Sequence, residues 1–249
     1  MMYLTVPRLT DIVKKQFRYK MNAYTGIFSS LLIMQLIGIF FGVNSYSSYE
    51  ASESLRITDA TSTGDTPVVL TLVWAFITGI LVTTLAYRND AFSFVSNRLS
   101  HHLSSFLLVL LASVVGGITA VLAGSIGKFI VYAQNSTITI ESPGLLDSPF
   151  SFFIGIATSI LYTILFAGLG YTIGSFVQRS KLVIPLIVIV LIALPALNLS
   201  VGGVFFIEKT IAFFGTETSF LIFLMKVVIT VVVLFALSVA VTNKTEVRK

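Results

Sequence analysis

The chain has 249 residues, of which 55% are hydrophobic and 11% are charged, and its formal net charge is +5. A composition this apolar argues for a membrane protein and against a soluble enzyme or a nucleic-acid-binding protein. The sequence contains no cysteine, which excludes disulfides, thiol catalysis and cysteine-based metal sites.

The first part of the chain is a basic amphipathic segment over residues 5–20. Its apolar residues recur at helical spacing, and basic residues fill much of the remaining surface; the two sets are Val6, Leu9, Ile12, Val13 and Phe17, and Arg8, Lys14, Lys15 and Arg18. This pattern predicts a helix that lies in the inner membrane interface. The alternative is a charge signal that only orients the first span. The sequence shows no cleavable signal peptide.

Six apolar stretches follow, each of 18 residues or more. A hydrocarbon core of about 30 Å requires about 20 apolar helical residues, and the alternation typical of a membrane β-barrel is missing. The sequence therefore predicts an all-α polytopic fold with six transmembrane helices in a single domain over residues 1–249. The predicted spans are Tyr24–Val43, Val68–Tyr87, Phe106–Val131, Phe150–Phe176, Leu182–Leu199 and Phe220–Val241.

The basic residues indicate the orientation of these spans. Twelve of the 16 lysines and arginines lie in the N-terminal segment, between spans 2 and 3, between spans 4 and 5, and in the C-terminal tail. Positively charged segments stay on the cytosolic side, so both termini are expected in the cytosol. Attraction to anionic lipid explains these charges more simply than nucleic-acid binding does.

The segment between spans 2 and 3, residues 88–105, has an apolar face of its own. Ala91, Phe94, Val95 and Leu99 are spaced as on one side of a short helix, with Phe92 nearby. Exposed aromatic residues on a cytosolic helix favour docking to a partner protein. The alternative is packing of this helix onto the lipid interface.

Two segments are expected on the outer side. Residues 44–66 are rich in serine, threonine and acidic residues and predict a flexible polar loop. Residues 200–219 form an apolar hairpin that is too short to span but too apolar for a free loop. They predict a re-entrant or interfacial helix, with a soluble cap as the alternative.

Polar residues near the spans offer no evident catalytic chemistry. The adjacent His101 and His102 are expected to be weakly basic interface residues, because neighbours on a helix do not share a face as two metal ligands would. The Gly124–Lys128 segment lacks the spacing of a phosphate-binding loop, so this chain is not expected to hydrolyse ATP. Lys128 is expected to reach the headgroups.

Lys226 and two glycines have two interpretations each. Lys226 lies about 10 Å inside span 6, where it either reaches the headgroups or faces a cavity as a cation for a cargo carboxylate. Gly38 and Gly42 match the small-xxx-small pattern, which permits close helix contact within the chain or across a dimer.

This arrangement resembles the permease subunits of ABC transporters in the type-two exporter family. The resemblance covers nearly the whole chain, and its most specific part is residues 86–105, AYRNDAFSFVSNRLSHHLSS. It implies that two permease subunits pair, as a homodimer or a heterodimer, and that each binds a cytosolic ATP-binding subunit holding ATP and Mg. It also implies the plasma membrane, of a bacterium, as the location.

The resemblance assigns roles to residues already described. The N-terminal helix would be an elbow helix that includes Leu9, Val13, Phe17 and Arg18. The segment over 91–99 would be the coupling helix; the coupling residues are Arg88, Asp90, Phe92, Phe94, Val95, Arg98 and Leu99. Gly38 and Gly42 would be candidates for the dimer contact. The chain itself would need no cofactor, and its cargo would be an amphipathic or hydrophobic peptide, drug or lipid-like molecule.

Two other classes of function remain open. One is an ATP-independent channel or secondary transporter, although deep charged groups are scarce in the spans. The other is a membrane scaffold or sensor subunit that binds a partner without moving a solute.

Overall fold

The structure is a computed structural model of the chain. It describes residues 8–44, 47–50, 58–62, 64–84, 98–134, 139–140, 148–180, 182–185, 189, 209, 212–217 and 219–243.

Long helices make up most of the described chain. In chain order the defined elements are α1 (Leu9–Ala23), α2 (Gly26–Asn44), β1 (Ser47–Glu50), β2 (Thr58–Ser62), α3 (Thr66–Val82), α4 (Arg98–Gln134), β3 (Thr139–Ile140), α5 (Pro149–Arg179) and α6 (Phe220–Asn243). Helices α3 and α5 each carry a proline in the first turn, where the missing N–H has no helical partner anyway.

Among the described residues, four helices are long and apolar enough to cross a membrane, namely α2, α4, α5 and α6. They coincide with the first, third, fourth and sixth predicted spans. Helix α3 covers most of the second span but is shorter, at 17 residues. The fifth predicted span, Leu182–Leu199, lies mostly outside the described residues, which include only 182–185 and 189 of it.

Helix α4 is longer than the predicted third span. Its 37 residues extend over about 55 Å at 1.5 Å per residue, against a hydrocarbon core of about 30 Å. The helix begins at Arg98, eight residues before the predicted start at Phe106. Arg98 and Leu99, the last two residues of the predicted coupling helix, therefore lie in the first turn of α4, and residues 91–97 lie outside the described residues.

The described surface is apolar and part of the interior is polar, as a lipid environment requires. Leu32, Leu36 and Phe40 of α2 are exposed, whereas Gln35 on the same helix is buried. The Gln35 Nε2 donates to Thr119 Oγ1 of α4 at 2.9 Å and lies 3.4 Å from Thr71 Oγ1 of α3. These hydrogen bonds link three helices. They stabilise helix association in a membrane, where apolar side chains contact lipid about as favourably as they contact another helix.

Glycines allow α3 and α5 to cross at very short distance. A Cβ added at Gly79 or Gly170 would overlap a backbone carbonyl of the opposite helix, at Ala167 or Phe76 respectively. The main core lies beside this crossing, where Trp74 and Ala75 of α3 meet Ala167 and Tyr171 of α5.

Residues 44–66 differ from the predicted flexible loop. Strands β1 and β2 pair antiparallel within this segment, and β2 also pairs in parallel with β3. The prediction of a flexible loop was wrong for the described part, since threonine and tyrosine suit a strand as well as a loop. Gly64, with φ of +67°, provides the left-handed turn between β2 and α3.

Candidate functional site

The candidate functional site is the junction where α1 packs against the start of α4. Four residues of α1 face inward at helical spacing, namely Val13, Gln16, Phe17 and Lys20. Arg18 is exposed and Leu9 is 40% exposed. Of the four predicted elbow residues, Val13 and Phe17 therefore face the protein, and Leu9 and Arg18 face outward.

Lys20 is the centre of this junction. Its Nζ donates to Ser105 Oγ at 2.7 Å and to Ser104 Oγ at 2.8 Å. It also donates to the His101 carbonyl at 3.2 Å and lies 3.4 Å from His101 Nδ1. One ammonium thus bonds to three residues in the first turns of α4, His101, Ser104 and Ser105, which lie more than 80 residues away in sequence.

The Lys20 side chain is 2% exposed, and among the described residues none of the four atoms that it bonds to belongs to a carboxylate. Burial without a compensating negative charge disfavours the protonated amine. It lowers the pKa of Lys20 from its ordinary value of 10.5 to about 7. The junction therefore contains an amine that titrates near neutral pH.

Gln16 and Ser104 complete the α1–α4 contact. Ser104 Oγ lies 3.2 Å from Gln16 Oε1, to which it donates, and it also lies 2.9 Å from the His101 carbonyl. The Gln16 Nε2 is buried and has no hydrogen-bond partner among the described residues. The contact between the two helices is accordingly polar at its centre, with Val13 and Phe17 as its apolar part.

A second polar pair connects α4 to α5 from within the same turns of α4 that Lys20 contacts. His102 is 6% exposed, and its Nδ1 lies 2.7 Å from the hydroxyl of Tyr171, which is also buried. The expectation that both histidines are interface residues is therefore wrong for His102. The Lys20–Ser105 hydrogen bond joins α1 to α4, and the His102–Tyr171 hydrogen bond joins α4 to α5. Together the two bonds hold the three helices in one arrangement.

We expect Tyr171→Phe to destabilise the protein by about 1–3 kcal/mol, because it leaves the buried His102 ring nitrogen without its partner. The thermal midpoint of unfolding in mild detergent measures this loss. Tyr132→Phe is the matched control, since Tyr132 is 60% exposed near the far end of α4 and should change little. Equal midpoints for the two variants would contradict the role of the His102–Tyr171 pair.

The other residues singled out in the sequence fall into two groups. Arg88, Asp90, Phe92, Phe94 and Val95 lie outside the described residues, and their coupling role stays a prediction. Gly38 and Gly42 lie against Pro67 and Thr66 of α3, where a Cβ at Gly38 would be 2.7 Å from Pro67 Cα. Packing within the chain accounts for both glycines, and a dimer contact stays a prediction.

Lys226 has protein partners in the structure. Its Nζ forms an ion pair with the Glu217 carboxylate and donates to the Phe213 carbonyl at 3.1 Å, and it also lies 4.0 Å from the centre of the Phe213 ring. All three contacts lie toward the N-terminus of α6, where residues 212–217 precede the helix. This arrangement agrees with a lysine that reaches out of the apolar layer.

Sequence reasoning missed Lys20 and His102 as buried residues. A signal for Lys20 was present, because it follows Val13 by seven residues and Phe17 by three, on the apolar face of the helix. For His102 the partner is Tyr171, 69 residues away, and no local pattern indicates that contact. Within the described part of the chain, no three acidic or histidine side chains lie together as metal ligands would.

Comparisons with known proteins give no independent assignment. No protein-family model matches the chain, and neither a curated protein nor a solved structure is significantly similar to it.

Proposed function

We propose that this chain is the membrane-spanning permease subunit of an ATP-driven exporter. In this proposal the chain has six spans with both termini in the cytosol, lies in the plasma membrane of a bacterium, and pairs with a second permease subunit. It moves an amphipathic or hydrophobic cargo outward. ATP and Mg bind to a separate cytosolic ATP-binding subunit.

The observation that supports this proposal most is the hydrogen bonding of Lys20 to His101, Ser104 and Ser105. It joins a basic amphipathic helix to the start of a helix about 55 Å long. The predicted coupling segment, residues 91–99, leads directly into this start. A movement of that segment, caused by an ATP-binding subunit, would therefore move α4. The contacts of Lys20 and His102 would then transmit this movement from α4 to α1 and α5.

The charge distribution supports the proposed orientation. Lys14, Lys15 and Arg18 are exposed on α1, and Arg179 ends α5 on the same side of the bundle, where it lies 3.5 Å from the Val241 carbonyl near the end of α6. Exposed basic residues at this end fit the inner leaflet.

Copurification tests the partner. The chain is coexpressed with candidate ATP-binding subunits and purified in mild detergent, as the native protein and as Phe94→Ala/Val95→Ala. We expect an ATP-binding subunit to accompany the native chain and to be lost from the double variant, because docking would bury these two side chains.

The matched control is Phe150→Ala/Phe153→Ala, which removes two exposed aromatic side chains from the opposite end of the bundle. It should retain the ATP-binding subunit. If no ATP-binding subunit binds the native chain with or without nucleotide, the exporter proposal fails, and flux in liposomes then tests the channel or secondary transporter.

A further inference from the structure

A cavity of about 440 Å³ lies among α3, α4 and α5, at the end of the bundle where α3 and α5 begin and α4 ends. Its size falls in the range of small-molecule sites. This polar cavity lies at the opposite end of α4 from the Lys20 junction.

Among the described residues, one cationic and one anionic side chain line the polar cavity. Lys128 lines it from α4, and Asp65, the residue before α3, lines it from the turn that precedes α3. The two groups interact electrostatically. The stem of Lys128 packs against Gly64, where a Cβ would lie 2.6 Å from Lys128 Cε. The turn at Gly64 therefore fixes both charges at the cavity wall.

Ser159 adds a buried polar atom that has no partner in the described part of the chain. It lines the cavity and is 5% exposed, and its Oγ forms no hydrogen bond to any described residue. Other hydroxyls of α5 behave differently, since Thr163, Thr172 and Ser175 each donate to the carbonyl four residues earlier. A buried hydroxyl without a partner is costly, and a ligand in the cavity would satisfy it.

The remaining wall is mostly apolar, with Val68 of α3, Val121 of α4 and Ile154 of α5. Apolar walls around a few converging polar groups are typical of ligand sites. Gly155 leaves the space open, because a Cβ there would meet no atom within 4 Å.

We propose that the polar cavity binds a zwitterionic phosphoethanolamine-type group, with its phosphate on Lys128, its ammonium on Asp65 and an oxygen on the Ser159 hydroxyl. The paired charges of the cavity match the paired charges of such a group, whereas a purely anionic group would meet the Asp65 carboxylate. This chemistry occurs on a membrane lipid and on a free headgroup. Binding at this site does not require an ATP-binding subunit.

Native mass spectrometry of the full chain tests the proposal. The probes are dioleoyl phosphatidylethanolamine, dioleoyl phosphatidylglycerol and soluble glycerophosphoethanolamine. The variants are Lys128→Met, Asp65→Asn and Gly155→Leu, which fills the cavity. Gly127→Leu is the control, since Gly127 does not line the cavity and a Cβ there also meets no atom within 4 Å. The thermal midpoint of each variant shows that it is folded.

We expect the ethanolamine lipid to bind at least about tenfold more tightly than the glycerol lipid. We expect Asp65→Asn to lose this preference, Lys128→Met to weaken the binding of both lipids, and Gly155→Leu to lose the binding of both. Gly127→Leu should bind both lipids as the native chain does. Competition by soluble glycerophosphoethanolamine would identify a free headgroup as the ligand, and lack of competition would identify the lipid. Equal binding of the two lipids, no binding of either, or undiminished binding by Gly155→Leu would overturn the proposal.

Discussion

The stability of the protein is expected to rise by several kcal/mol between pH 7 and pH 10, and Lys20→Met is expected to lose most of that rise. The folded-state pKa of Lys20 is about 7, whereas the unfolded chain has the ordinary value of 10.5. Between these values the unfolded state binds the proton and the folded state does not, so raising the pH favours the folded state. The destabilisation from burying a charged amine is complete below pH 7 and fades toward pH 10.5.

The gap between the two pKa values corresponds to roughly 4–5 kcal/mol. For a chain of this size that is a change in the thermal midpoint on the order of 10 °C. The measurement is the midpoint in one detergent at a series of pH values, taken as the difference between native protein and Lys20→Met. Methionine keeps the length of the side chain and removes the titrating group.

Lys15→Met is the control for the pH series, because Lys15 is exposed on the same helix and its removal should leave the pH dependence unchanged. Parallel curves for the native protein and Lys20→Met would show that Lys20 does not titrate in a buried site. That result would contradict the geometry of the α1–α4 junction.

Gly170→Ala and Gly168→Ala are expected to have opposite effects although they are two residues apart on α5. At Gly170 the new Cβ would overlap the Phe76 carbonyl oxygen of α3, which is backbone and cannot rotate away. The helices must then separate, at a cost of about 2–3 kcal/mol or more. At Gly168 the Cβ would meet only Leu234 Cδ1 at 3.8 Å, and alanine would stabilise the helix by up to about 1 kcal/mol.

The thermal midpoint and the yield of monodisperse protein in detergent measure both variants. Gly170→Ala should lower both quantities, and Gly168→Ala should leave them unchanged or raise the midpoint. Equal behaviour of the two variants would mean that α3 and α5 do not cross at this distance.

The existence and type of the membrane helices could be predicted from the sequence because length and hydrophobicity decide them locally. Helices α2, α4, α5 and α6 coincide with predicted spans. Hydrophobicity alone does not predict the ends of these helices, since α4 begins at Arg98 in a polar stretch that hydrophobicity assigns to a loop. Polar residues such as Ser100 and Ser104 are tolerated there because neighbouring helices bury them.

The candidate site could be predicted only in part, because its chemistry depends on contacts between distant segments. The inward face of α1 follows from the spacing of Val13 and Phe17. The burial of the Lys20 amine on this face cannot be predicted locally, because it depends on hydrogen bonds to Ser104 and Ser105 of α4. The polar cavity was missed for the same reason, since Asp65, Lys128 and Ser159 come from three different segments.

The measurement that tests the proposed exporter permease most directly is site-specific photo-crosslinking from position 94. A photoreactive residue replaces Phe94 in the full chain, which is coexpressed with candidate ATP-binding subunits, and the same residue at Leu107 is the control because Leu107 is exposed further along α4. We predict a crosslink from position 94 to an ATP-binding subunit whose yield changes with nucleotide, and none from position 107. Crosslinks from position 94 to lipid alone, in every nucleotide state, would contradict the proposal.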